Sequence, residues 1–131
     1  PADVISRLCG LTDASRGVTL LAVRLLPGEE RLIGTASYIR IDDGVAEVAF
    51  AVDDNFGHLG IATGLLERLA ALGSDAGFTR FRANTLTENT PMLRVFRDSG
   101  FMIKSKLDGS CVEVELALTS TARSVAAYEQ L

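Results

Sequence analysis

The stretch with the most chemical potential is Ala51-Val52-Asp53-Asp54-Asn55-Phe56-Gly57-His58-Leu59-Gly60-Ile61-Ala62-Thr63-Gly64-Leu65-Leu66, where a strand-like run gives way to glycines and then to helical spacing. A helix that opens directly from such a loop presents main-chain N–H groups without intrahelical partners, at the positive end of its dipole. That arrangement suits a phosphate. Gly57 and Gly60 keep Cβ atoms out of the way of a bulky anion. No Gly-Lys-Ser/Thr follows and no GxGxxG is present, so neither a Walker loop nor a dinucleotide fingerprint is written here. On the residues alone, a strand-to-helix turn that uses glycine only for geometry is an equal alternative.

Around this stretch the periodicity predicts the elements that hold it. Residues 18–26, 32–41 and 45–52 read as three strands joined by the turns Pro27-Gly28-Glu29-Glu30 and Asp42-Asp43-Gly44, an antiparallel meander. In the second, Ile33, Thr35, Ser37, Ile39 and Ile41 share a face. Ile61, Leu65, Leu66, Leu69 and Leu72 recur at helical spacing up to Gly73. A strand over 78–85 follows, then a helix capped by Thr87 and running to Ser99, with Met92, Val95 and Phe96 inward. Strands over 101–106 and 111–118 close the domain. The N-terminus reads as a short helix, with Val4, Ile5 and Leu8 on one face and Gly10 as its stop. The segment 45–85 is a βαβ unit, so its strands are expected to be parallel with a right-handed crossover. The class is α+β, a mixed and mostly antiparallel sheet with helices on both faces.

Composition excludes several roles. The 131 residues, 47% hydrophobic and 23% charged, suit one domain, which at this size buries roughly two-thirds of its unfolded surface without metal or disulfide. A formal charge of −4 leaves no basic stripe for nucleic acid, and no apolar run reaches the ~20 residues of a membrane helix. Cys9 and Cys111 lack CxxC spacing and read as small hydrophobes, so no metal site is indicated. No signal peptide is visible, and a cytoplasmic domain is the expectation. Pro1 in place of Met suggests a fragment or a processed chain.

Gly57-His58-Leu59-Gly60-Ile61-Ala62 before an amphipathic helix resembles the acyl-CoA pyrophosphate loop of the GNAT family of N-acetyltransferases, whose pattern is Gln/Arg-x-x-Gly-x-Gly/Ala. A second segment, Asn89 to Phe101 with Leu93, Phe96 and Gly100, is similar to that family's Asn-…-Leu-Tyr-…-Gly-Phe helix and strand. The likeness covers about residues 18–118. More narrowly, Ala46-Glu47-Val48-Ala49-Phe50 and Glu88 to Phe96 resemble bacterial protein lysine acetyltransferases that modify acyl-CoA synthetases or are fused to related regions. The resemblance implies an acetyltransferase domain over 1–118, N-terminally truncated with the family's first strand missing before Pro1, and a tail or linker over 119–131.

It also implies a mechanism. Acetyl-CoA is the donor, and an amine, a protein lysine before a small amine, attacks the thioester directly in a ternary complex. Main-chain N–H groups where 48–52 (Ala51 and Val52 among them) splays from 81–85 would hold the thioester oxygen. Gly57, His58, Leu59, Gly60, Ile61, Ala62 and Thr63 would hold the pyrophosphate, with Asn89 and Phe96 at the cofactor. An amine near pKa 10.4 arrives protonated, so a base is needed. Glu47 is the preferred one, on a central strand beside small Ala49 and Ala51, where partial burial would favour proton acceptance near neutral pH. A solvated glutamate is its bland alternative. Tyr38, Asp53 and Glu88 are weaker candidates.

Departures from the pattern favour a second reading. Gly57 replaces Gln or Arg, Leu59 stands where a basic residue is common, and Phe96 takes the place of a Tyr that protonates the thiolate in many members. His58 is able to compensate only in part, and a solvent-facing loop histidine is its equal alternative. A helix-start role is a substantial alternative for Asn89. Arg80, Arg82, Arg94 and Arg97 read as a solvated face. The alternative is therefore a non-catalytic acyl-CoA-binding regulatory module of a synthetase-type protein.

Overall fold

A computed structural model describes residues 4–9, 13–53 and 60–118; Gly57, His58, Leu59 and the tail 119–131 lie outside the described residues. Within these, the order is β1 (Val4–Leu8), β2 (Gly17–Leu26), β3 (Glu29–Asp42), β4 (Val45–Val52), α1 (Ile61–Asp75), β5 (Arg80–Leu86), α2 (Thr90–Arg97), β6 (Met102–Asp108) and β7 (Cys111–Ala117). The strands form one sheet in the order β1-β2-β3-β4-β5-β7-β6. The pair β4–β5 is parallel, as a strand–helix–strand crossover requires, and the other neighbours are antiparallel. The class is the expected mixed α+β.

The N-terminal segment is a strand rather than a helix. Val4 lies opposite Arg24 and Leu8 opposite Leu20, so β1 occupies the sheet edge where a strand was expected to be missing. Five residues cannot offset the cost of nucleating a helix, whereas the edge of β2 offers a ready ladder. Arg7 holds this edge with a two-pronged bond to Glu30, at 2.9 and 3.0 Å.

One face of the sheet carries the core. Leu20, Ala36, Tyr38, Ala46, Val48, Phe81, Ala83, Val114 and Leu116 are buried there with α1 residues Leu65, Leu66 and Leu69 and α2 residue Phe96. Both helices thus cover the same face, not opposite faces. The other face, with Thr35, Ser37, Ile39, Glu47, Ala49 and Ala51, has no helix over it among the described residues. The single face expected for Ile33 through Ile41 is interrupted, because β3 carries an extra residue where Ala22 pairs Gly34 and Val23 pairs Leu32. That bulge turns Ile33 into the core while Ile39 stays 61% exposed.

The helix α1 starts after Gly60, whose φ of 76° is the left-handed conformation that glycine adopts without a Cβ penalty. Near its end, Gly73 lies against Phe81, and a Cβ there would come within 2.8 Å of the ring. The α2 cap is Asn89, not Thr87: its Oδ1 accepts a 3.3 Å bond from the Met92 N–H.

Candidate functional site

The parallel pair β4–β5 is short. Registered partners are Val45–Arg80, Ala46–Phe81 and Glu47–Arg82, yet β4 continues to Val52 and β5 to Leu86. Beyond Glu47 and Arg82 the strands part, as expected for 48–52 and 81–85. The alternation of the ladder tells which main-chain groups face the opening. The Asp53 N–H donates to the Ile33 carbonyl, and the Arg80 N–H donates to the Gly44 carbonyl. Counting in twos from both anchors, the N–H and C=O groups of Val48, Phe50 and Val52 turn away from β3 toward β5. The Val48 N–H closes the last bridge onto the Arg82 carbonyl, and beyond it the Val48 carbonyl and the N–H and C=O groups of Phe50 and Val52 meet no strand partner among the described residues.

The start of α1 lies at the same end. A Cβ on Gly34, the residue opposite Val52, would sit 3.4 Å from Val52 Cγ2 and 3.5 Å from Ile61 Cγ2, so strand end and helix start meet over this glycine. The first helical bond runs from the Gly64 N–H to the Gly60 carbonyl. The N–H groups of Ile61, Ala62 and Thr63 therefore have no intrahelical acceptor. Among the described residues no side chain caps this end, and no acid occupies its first turn. An anion placed there meets donors and a favourable dipole, and no described atom comes within 4 Å of a Cβ on Gly60. The phosphate groups of acetyl-CoA fit that end, and an extended thioester arm fits a strand edge with unpaired donors and acceptors.

Among the expected site residues, the structure brings Ala51, Val52, Gly60, Ile61, Ala62 and Thr63 to this end of the sheet, and Gly57, His58 and Leu59 lie outside the described residues. Asn89 spends its side chain on the α2 cap. Phe96 is 1% exposed, its ring edge-on to Phe50 at 6.0 Å, and so packs in the core. Glu47 is exposed on the uncovered face, not partly buried. Its neighbour Ile39 borders a broad depression lined by Arg16, Thr19, Ser37 and Arg40 among others.

The weaker candidates take structural or peripheral places. Tyr38 is buried, and its hydroxyl donates a 2.7 Å bond to the Ala14 carbonyl. Burial, with Asp13 adding to it, pushes its phenol up from the usual range, which holds the proton on. Asp53 and Glu88 are both exposed.

What the sequence did not disclose is the charge row beside Glu47. Arg82 Nε lies 3.2 Å from Glu113 Oε1, and Arg82 Nη2 lies 3.8 Å from Glu115 Oε2. Arg80 Nη1 donates to Glu115 Oε1 at 3.1 Å. These arginines are thus partnered rather than merely solvated. The alternating Arg-x-Arg and Glu-x-Glu patterns were the available signal, but only the β5–β7 register sets Arg82 opposite Glu115.

Comparison with known proteins gives this geometry a context. Residues 8–101 match the model of the acetyltransferase (GNAT) family. The GNAT domain of S. lividans PAT is 34% identical, with a TM-score of 0.68 over 82% of this chain and 64% of that one. A cAMP-binding acyltransferase from Mycobacterium smegmatis is 24% identical, with a TM-score of 0.68 over 83% of this chain and 33% of that one. A GNAT-family acetyltransferase from Streptococcus pneumoniae shares the fold at 17% identity and a TM-score of 0.67, over 80% of this chain and 68% of that one. The chain thus spans about two-thirds of the first protein and one-third of the second. No described helix is long and apolar enough to cross a membrane. With a family match over most of its length and a strand opening beside a bare helix start, the chain belongs to the acetyltransferase (GNAT) family, N-acetyltransferases that take their acyl group from acetyl-CoA.

Proposed function

We propose that this domain transfers the acetyl group of acetyl-CoA to a protein lysine, by direct attack of the amine while donor and acceptor are both bound. The observation that carries the reading is the end of β4–β5 pairing at Glu47 and Arg82, with a carboxylate at the mouth of an opening lined by the amides of Phe50 and Val52. Acetyl-CoA supplies the activated acyl carbon. The opening amides orient its arm and hydrogen-bond the thioester oxygen, and the amides of Ile61, Ala62 and Thr63, with 57–59, hold its phosphates. Glu47 accepts the proton that the ammonium must lose, directly or through one water.

Phe96 has no proton to offer the departing sulfur. A thiol with a pKa near 8.5 leaves readily as thiolate, so none is needed. A protein acceptor, an acyl-CoA synthetase being one candidate, is supported by the face around Glu47, which no described helix covers. Its floor is small, Ala49 and Ala51, and the depression beside Ile39 leaves room for a lysine-bearing segment. A small amine is the lesser acceptor, and the setting is cytoplasmic.

The second reading, a non-catalytic acyl-CoA-binding module, draws on the exposure of Glu47 and the buried, hydroxyl-free Phe96. Thiol release with a lysine peptide separates the two. Glu47→Gln is expected to lower kcat by about 100-fold, the range of a lost general base, while acetyl-CoA affinity stays within about twofold. Unchanged turnover in that variant contradicts the role of Glu47; no turnover in the parent, with acetyl-CoA bound, favours the module.

A further inference from the structure

We propose that Glu113 and Glu115 act as positioning residues that hold Arg82 off Glu47, so that the carboxylate stays available to the acceptor amine; the inference rests on the reading of Glu47 as the base. Glu47 and Arg82 are direct register partners on adjacent parallel strands, so their side chains leave the same face about 4.8 Å apart at the backbone. A glutamate and an arginine so placed form an ion pair unless something competes. Here the competitor is β7. Arg82 turns its guanidinium the other way, to Glu113 at 3.2 Å and Glu115 at 3.8 Å, and Arg80 takes the second oxygen of Glu115 at 3.1 Å. No ion pair to Glu47 forms within 4 Å among the described residues.

The charged surroundings of Glu47 are few. From β3 it meets Ile39, with Ser37 on one side and, across the bulge at Ile41, Asp42 opposite Val45 on the other, a second acid rather than a cation; Arg40 instead lies over the Phe78 ring. From β5 it meets Arg82, with Arg80 one step along the same face. Behind them stand Glu113 and Glu115 on β7, and beyond those Lys106 and Lys104 on β6, each opposite one of the glutamates. Arg80 and Arg82 are thus the cations that β5 sets on the face of Glu47, and both are bound from the far side. An arginine paired to the base would stabilise its ionised form and weaken it as a proton acceptor.

Removing the hold tests the proposal. In Glu113→Gln/Glu115→Gln the guanidinium of Arg82 is released to Glu47. The acid limb of the kcat/KM profile is then expected to move down by about one pH unit or more, with the plateau falling several-fold. Adding Arg82→Gln to the double variant should return both toward the parent values, which a merely damaged sheet would not do. The 13C signal of the Glu47 carboxyl reads the same shift without turnover, in variants whose circular dichroism matches the parent. An unmoved Glu47 titration in the double variant overturns the inference. So does a uniform loss of rate that Arg82→Gln fails to restore. If Glu47→Gln turns over normally, the base assignment itself falls; if Glu47→Gln is inactive and the double variant titrates like the parent, only the positioning role falls.

Discussion

Two glycines on α1 should respond to the same substitution with opposite sign. At Gly73 an alanine Cβ would stand 2.8 and 2.9 Å from two Phe81 ring carbons. Carbon contacts settle at about 3.5–4.0 Å, so helix and strand must separate by roughly 0.7 Å. Phe81 cannot yield easily, being fully buried with the Tyr38 ring 5.5 Å away. Overpacking of this kind costs about 1–3 kcal/mol, and the helix preference of Ala over Gly offsets about 1 kcal/mol. Gly73→Ala should therefore lose about 1 kcal/mol. At Gly64 nothing lies within 4 Å of the new Cβ, which would enter an open cleft lined by Val4, Ser6 and Ala22. Gly64→Ala should gain about 1 kcal/mol from helix preference alone. Urea titration reads both as opposite shifts in midpoint at unchanged slope, about 2 kcal/mol apart. Equal gains from both would refute the close approach of α1 to β5 at Gly73.

Asn89→Ala should cost about 1 kcal/mol by deleting the α2 cap, measurable as a fall in melting temperature, whereas Asn89→Asp should keep most of it. Acid should loosen the N-terminal edge. Arg7 holds the Glu30 carboxyl below its usual range, and the Ser15 hydroxyl and amide do the same for Asp13. A carboxylate lowered in the folded state contributes stability that is complete above its unfolded value and lost as pH falls through the folded one. The melting temperature should then decline from about pH 4.5 downward, less steeply in Glu30→Gln/Asp13→Asn than in the parent; parallel curves would deny these contacts any weight.

Local patterns reveal what local physics decides. The meander turns, the α1 stripe from Ile61 to Leu72 and the β4-α1-β5 crossover were all legible, because alternation, helical spacing and chain handedness are written in short windows. Val4-Ile5-Ser6-Arg7-Leu8 was not, since its apolar spacing fits a helix turn as well as a strand, and its partner Leu20–Arg24 lies elsewhere in the chain. Which face a helix covers is likewise nonlocal. Both α1 and α2 display apolar stripes, but only tertiary packing, Phe96 against Phe50 with Met92, Leu93 and Val95 on the same core, puts α2 on the side of α1. The bulge at Ile33 leaves the apolar alternation of β3 nearly intact, so it hides in the sequence. Glu47 was identifiable as a strand acid beside small residues. Its exposure, and the pull of Glu113 and Glu115 on Arg82, depend on strands far apart in sequence.

The most direct test of the account is a titration of the 15N-labelled chain with acetyl-CoA, followed through its amide resonances. Saturable shifts should concentrate at Phe50 and Val52 along the opening and at Ile61, Ala62 and Thr63 at the helix start, with the β1 edge around Arg7 unmoved. A saturating response that spares these five amides, or none at millimolar donor, would contradict the claim that the parted strands and the helix start form the donor site.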